Sequence, residues 1–139
     1  MSMTLVAAAV TPVSHGGTGA TTAAGARKNL GIATVADKPG NMLYNGGSDG
    51  YVWWSCRNGL VTIAWSVKQT TTAQWKAGSV GKAYAPARVV NGNLPVAAWA
   101  PNGTTATAWI DASGDLYLQC SVAQSNGRNV GSMTYIAHG

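Results

Sequence analysis

Few residues in this chain could carry out chemistry. The acidic residues number four in 139 positions, and all are aspartates: Asp37, Asp49, Asp111 and Asp115. A glycosidase pair is conceivable from Asp111 and Asp115. The two flank Ser113-Gly114, however, and aspartate is common beside turns because its carboxylate accepts from nearby backbone N–H groups. The turn role is the reading adopted, and no enzymatic activity is expected. His15 and His138 have no companions at metal-ligand spacing, whereas a zinc site takes three or four protein ligands. No metal or cofactor is expected. Cys56 and Cys120 each lie in an apolar alternating run, as small buried core residues do; whether they are bridged stays open. Cys56 with His138 lacks the orienting third group of a thiol nucleophile, and burial makes a thiol inert. The glycines at 16, 17 and 19 are not followed by the Lys-Ser/Thr of a phosphate-binding loop, and no βαβ unit surrounds them.

What the chain has in excess is Trp, Tyr, Asn and Arg. A sugar presents an apolar C–H face and a rim of hydroxyls. An indole meets the first, while Asp, Asn, Arg and backbone groups meet the second. Strand alternation sorts the six tryptophans. Trp54 and Trp65 fall among apolar neighbours and are assigned to the core. Trp109 shares a face with Thr107 and Asp111, and Trp53 shares one with Tyr51, Ser55 and Arg57. Trp109 with Asp111 is therefore the first saccharide-binding candidate, and Trp53 with Arg57 the second. Trp75 and Trp99 fit either role. An outward tryptophan also serves subunit contacts, where aromatic residues are enriched.

The elements that must position these residues follow from the period-two pattern and its punctuation. Residues 51–57 alternate, with Val52, Trp54 and Cys56 on one face. Asn58-Gly59 is a two-residue hairpin signal, and Val61, Ile63, Trp65 and Val67 share a face of the next run, 60–68. Further strands are expected around Trp75 and over 83–90, 94–100, 104–111, 115–122 and 131–138. Turns are expected at Asn91-Gly92-Asn93, Pro101-Asn102-Gly103 and Ser113-Gly114. Pro95 makes its strand an edge or a strand start. Seven or eight short strands at this spacing predict an all-β fold, an antiparallel sandwich of jelly-roll or knob type. Residues 1–40 contain no Trp or Tyr and read as a separate attachment segment; residues 41–139 read as the head. Within the segment, residues 23–30 predict one short helix, capped by the Thr22 hydroxyl, with Arg27 and Lys28 near its negative end and Gly31 ending it. So short a helix needs something to pack on.

Composition agrees with this reading. Charged residues are 9% of the chain, against about 25% in ordinary soluble domains. There is no Phe, there are 18 Gly, and the good surface-helix formers are scarce. The net charge of +5 is scattered rather than gathered in a stripe, so no nucleic-acid partner is expected. No apolar run is long enough to span a bilayer, and no membrane insertion is expected. Residues 1–10 lack the basic start and the length of a signal peptide. A protein of this kind working outside a cell would reach it as part of a particle.

Residues Gly16-Gly17-Thr18-Gly19-Ala20-Thr21-Thr22-Ala23-Ala24-Gly25-Ala26-Arg27-Lys28-Asn29-Leu30-Gly31 resemble a segment common in phage tail fibre proteins, where it precedes a terminal domain. The later stretches Tyr84-Ala85-Pro86, Ala108-Trp109-Ile110-Asp111-Ala112-Ser113-Gly114-Asp115-Leu116-Tyr117-Leu118 and Thr134-Tyr135-Ile136 resemble receptor-binding heads of phage baseplates and fibres, more loosely. The resemblance implies a homotrimer located in the virion, at the phage tail. Its β-sandwich head would bind a bacterial surface saccharide or teichoic-acid-like polymer, and its N-terminal segment would join other tail proteins. No sugar-binding residue carries over, because those sites vary between heads. Two rivals remain: a trimerisation or tip-capping module that binds no glycan, and a polysaccharide-cleaving tail enzyme, which would need a carboxylate-rich groove.

Overall fold

The computed structural model describes residues 10–32, 35–100, 105–121 and 127–139, the side chain of Trp99 excepted. The expected turn at Pro101-Asn102-Gly103 lies outside them. The chain divides into two compact units, Met1–Thr34 and Val35–Gly139. The boundary falls a few residues before the expected one. Val35 is buried and the Asp37 Oδ1 accepts from the Asn58 backbone N–H at 2.9 Å, so this stretch belongs to the head.

In the first unit, helix α1 spans Ala23–Asn29, with the Thr22 Oγ1 accepting from the Gly25 N–H at 3.0 Å. Asn29 turns its amide back onto the glycine-rich stretch and donates to the carbonyls of Thr18 and Gly19. The motif is thus a closed unit in which cap, turn and helix end fix one another. Val13, Leu30 and Ile32 stay exposed. Gly31 has φ +71° with open space where a Cβ would stand, so a side chain there meets backbone strain alone. Gly31→Val should cost about 1–2 kcal/mol. The Ile32 amide, which donates to the Arg27 carbonyl at 2.7 Å, should then exchange with solvent about 5–30-fold faster. Unchanged exchange would show that Gly31 is not the helix stop.

The described residues of the head form eight strands: β1 Lys38–Asn45, β2 Gly50–Arg57, β3 Leu60–Lys68, β4 Trp75–Ser79, β5 Asn93–Trp99, β6 Thr105–Asp111, β7 Asp115–Cys120 and β8 Arg128–Ile136. All pairings are antiparallel, in the order β1-β2-β3-β8-β5-β6-β7-β4. The β5–β8 link is one residue pair, Trp99 with Val130. The order therefore reads as two four-stranded sheets, β1-β2-β3-β8 and β5-β6-β7-β4, joined at one corner. Their inner faces form an all-β sandwich core. Val52, Trp54, Cys56, Ile63, Trp65, Met133 and Tyr135 come from the first sheet, and Ala106, Ala108, Ile110, Leu116, Leu118 and Cys120 from the second. The first sheet supplies the large rings and the second the small alanines, a division of volumes that suits interdigitating layers. Gly131 fits this scheme, since a Cβ there would run into the Trp65 indole. Both cysteines are free thiols, and burial raises the pKa of each.

Asn58 and Gly59 have φ +47° and +76°, as a type I′ hairpin turn requires. Pro95 sits on β5, which pairs along its length with β6 alone. Two expectations fail. Residues 83–90 are not a strand: Lys82–Tyr84 is a 3-10 turn, and beyond it Pro86 and Val90 make only isolated bridges. Proline cannot donate to a ladder, and the segment instead crosses the sandwich end with Ala85 and Pro86 buried. Conversely, β1 was not expected.

Candidate functional site

The β6–β7 hairpin carries the first candidate pair. Counting outward from its turn, Ile110 pairs with Leu116, Trp109 with Tyr117 and Thr107 with Gln119. Ala108, Ile110, Leu116 and Leu118 are fully buried, so the alternate residues Thr107, Trp109, Tyr117 and Gln119 stand on the outer face. The Trp109 and Tyr117 rings lie 5.6 Å apart at 15°, a stacked pair, and both are half-buried. Pro95 lies across from Trp109 on one side, and Lys76 across from Tyr117 on the other. The row Pro95–Trp109–Tyr117–Lys76 is a platform with two stacked aromatic rings at its centre. One row along, Thr107 and Gln119 add a hydroxyl and an amide; towards the hairpin turn lie Asp111 and Asp115. A groove of about 780 Å³ runs beside Trp109, lined by Val90, Asn93, Pro95 and Thr107 among others.

The two carboxylates are engaged in the structure. The Asp111 Oδ1 accepts from the backbone N–H groups of Ser113 and Asp115, each at 2.9 Å. That is the turn role expected of it, and it leaves Oδ2 as the oxygen able to meet a ligand hydroxyl. Asp115 pairs with Lys76 at 2.9 Å. The hydrogen bond from Lys76, helped by the Ser79 hydroxyl, holds its carboxyl below the ordinary aspartate range. A depressed carboxyl stays ionised and serves poorly as a general acid. It also contributes stability that is present above the unfolded-state pKa and lost as pH falls through the folded one. Lys76→Met should therefore move the Asp115 titration upward, as followed by carboxyl-carbon NMR. No movement would mean that the pair does not persist in solution.

Trp53 and Arg57 lie elsewhere, on the outer face of the other sheet. Trp53 is 43% exposed, with Met42 and Ala64 across from it. Arg57 stands four residues along the strand, about 13 Å away, with Ser55 between and Leu60 opposite. The structure does not bring the two together. Exposed Met42, Tyr51, Leu60 and Ile136 share that sheet's outer surface with Trp53. That face is mixed, with Ser55, Arg57, Thr62 and Thr134 standing among the apolar side chains.

The sequence reading passed over Tyr117, Lys76 and Gln119. The signal was there: positions 109 and 117 are symmetric about Ser113, so a hairpin turning at that residue must place them opposite each other. Among the described residues no cluster of His, Cys, Asp or Glu could hold a metal ion. Among the same residues no helix is long and apolar enough to cross a membrane. Compared with known proteins, the chain matches no protein-family model and no curated protein.

Proposed function

We propose that this chain is the receptor-binding end of a phage tail fibre or baseplate protein. Its knob-like head adsorbs the virion to a bacterium by binding a surface saccharide on the Trp109–Tyr117 platform. One observation carries the reading: two stacked rings lie on a solvent-facing sheet, flanked by Lys76, Asp115, Asp111 and Gln119. The ring surface that the stack leaves open offers an apolar contact to sugar C–H faces, and the flanking groups offer donors and acceptors to its hydroxyls. The resemblance of residues 16–31 to tail-fibre segments supplies the setting. That unit, with its exposed Val13, Leu30 and Ile32, joins the head to the rest of the tail, and the particle acts outside the host cell. A glycan array probed with the purified chain tests the reading. Saturable binding to bacterial surface glycans supports it, and a blank array overturns it.

The rival structural reading draws on the other sheet. Met42, Tyr51, Trp53, Leu60 and Ile136 are exposed on its outer surface, interspersed with Ser55, Arg57, Thr62 and Thr134, and suit a contact between copies of the head. In a homotrimer this face is the subunit contact, which moves Trp53 from the saccharide candidates to the interface. Light scattering showing a trimer at micromolar concentration supports that assignment; a monomer or dimer refutes it. A trimer with a blank glycan array would favour a tip-capping module.

A further inference from the structure

We infer that the head carries a second binding site, for a neutral pyranose sugar, in the corner between Tyr44 and Trp75. A cavity of about 500 Å³ opens there, lined by Tyr44, Asp49, Lys68, Gln69, Gln74 and Trp75 among others. That volume lies within the range of small-molecule sites, about 300–1,000 Å³. The Tyr44 and Trp75 rings meet edge to face, centroids 4.8 Å apart at 80°, so the corner has two aromatic walls. Both rings are half-buried, as expected of groups that are fixed yet accessible.

The loop that forms the opposite wall is held from two sides. From within, the buried Gln69 donates its amide to the carbonyls of Ala73, at 3.2 Å, and Leu118, at 2.9 Å. From without, Gln119 donates to the Thr72 carbonyl at 3.0 Å. A wall fixed in advance loses little entropy when a ligand arrives. Several polar residues are among those that line the cavity. Among the described residues the Asp49 carboxylate, the Lys68 ammonium, the Tyr44 hydroxyl and the Gln74 amide make no hydrogen bond or ion pair.

The charges select the ligand class. Asp49 and Lys68 line one cavity without pairing. The two charges are of opposite sign, so the lining favours neither an anion nor a cation. A neutral polyhydroxyl ring donates to the carboxylate, accepts from the Gln74 amide and lays its C–H face on the indole. The inference rests on this cavity alone and does not require the Trp109 platform to bind anything.

The test uses the full chain, with the indole N–H signals assigned by single Trp→Phe variants. The probes are methyl α-mannopyranoside, methyl β-galactopyranoside and the methyl glycoside of N-acetylglucosamine, raised to high millimolar concentration. The Trp75 indole signal should shift saturably with at least one of them. Asp49→Ala, at an exposed position, should weaken that response by about tenfold or more. A Trp75 signal that never saturates, or one that Asp49→Ala leaves unchanged, overturns the site. Tighter binding of the corresponding glucuronide overturns the neutral class. A shift confined to Trp109 would support the platform and overturn this site, and a shift confined to Trp75 would do the reverse.

Discussion

Replacing Asn129 with alanine should destabilise the head by about 3–5 kcal/mol, a large part of the stability of an ordinary domain. Asn129 has no exposed surface and sits between the two sheets. Its Oδ1 accepts from the Trp65 indole N–H at 2.8 Å. Its Nδ2 faces the carbonyls of Thr107 at 3.1 Å and Gln119 at 3.4 Å, and the Gln69 Oε1 at 3.2 Å. An amide has two N–H groups for these three acceptors, so one donor is shared. The Cys120 thiol adds a weak bond to the same Gln69 oxygen. Alanine leaves the indole N–H without its partner in the core and withdraws the donors from the acceptors around it, each orphan costing about 1–3 kcal/mol. Urea unfolding followed by tryptophan fluorescence measures the loss. In a double-mutant cycle with Trp65→Phe the losses should fall short of additive, because both changes remove the same bond. A cost below about 1 kcal/mol for Asn129→Ala would show that water satisfies these groups instead.

That network explains one limit of the sequence reading. The last strand was expected from Gly131, whereas β8 begins at Arg128. Asn-Gly-Arg-Asn looks like a turn, and an asparagine on a core face contradicts the alternation that identifies strands. Its partners lie on β3, β6 and β7 and after β3, so nothing local reveals them. The other misses have similar causes. Strand β1 contains Pro39 and Gly40 and slips register twice against β2, which erases its period of two. Residues 83–90 alternate passably, but beside the C-terminal stretch they make only the bridge of Pro86 with Ala137 and a few hydrogen bonds around it, because Pro86 cannot donate to a ladder. Where alternation is clean and the turn chemistry strong, as in residues 50–68 around Asn58-Gly59 and in the Asp111–Asp115 hairpin, strand bounds and faces were legible almost to the residue.

The site was legible in halves. Alternation along one strand separated Trp109 from the buried Ala108 and Ile110, and Trp53 from Val52 and Trp54. It could not tell what stands beside each outward ring, since that depends on strand order. Trp109 gained Tyr117 and, beyond it, Lys76, because β7 lies between β6 and β4. Trp53 gained Met42 and Ala64, because β2 lies between β1 and β3. Two similar-looking candidates thus became a stacked, polar-rimmed pair of rings and a single exposed ring on a mixed sheet face. Tyr44 and Trp75 come from strands far apart in sequence, and only the closing of β1 towards β4 brings them into contact.

Trp109→Ala should abolish adsorption of the assembled particle while leaving the head folded and its oligomer intact. Trp109 is half-buried on an outer face, so its truncation opens no cavity in the core; the loss falls on the stacked surface and on whatever lies against it. Single-site affinity should be weak to begin with. An open platform excludes water poorly, and each hydrogen bond to a sugar replaces one to water, for a net of about 0.5–1.5 kcal/mol. Free trisaccharide is therefore expected to bind in the millimolar to micromolar range. Linking several heads raises the apparent affinity by about 10² to 10⁴ without any new contact. The same multiplication amplifies a defect: when each of several linked sites loses its main contact, avidity falls by far more than any one site does. Tyr117→Ala should weaken adsorption less, because it leaves the larger ring in place. Surface plasmon resonance on immobilised host polymer, with light scattering on the same samples, separates the outcomes. If Trp109→Ala loses the oligomer, the ring is a subunit contact and the platform is misassigned. If it keeps both oligomer and adsorption, the platform takes no part in either.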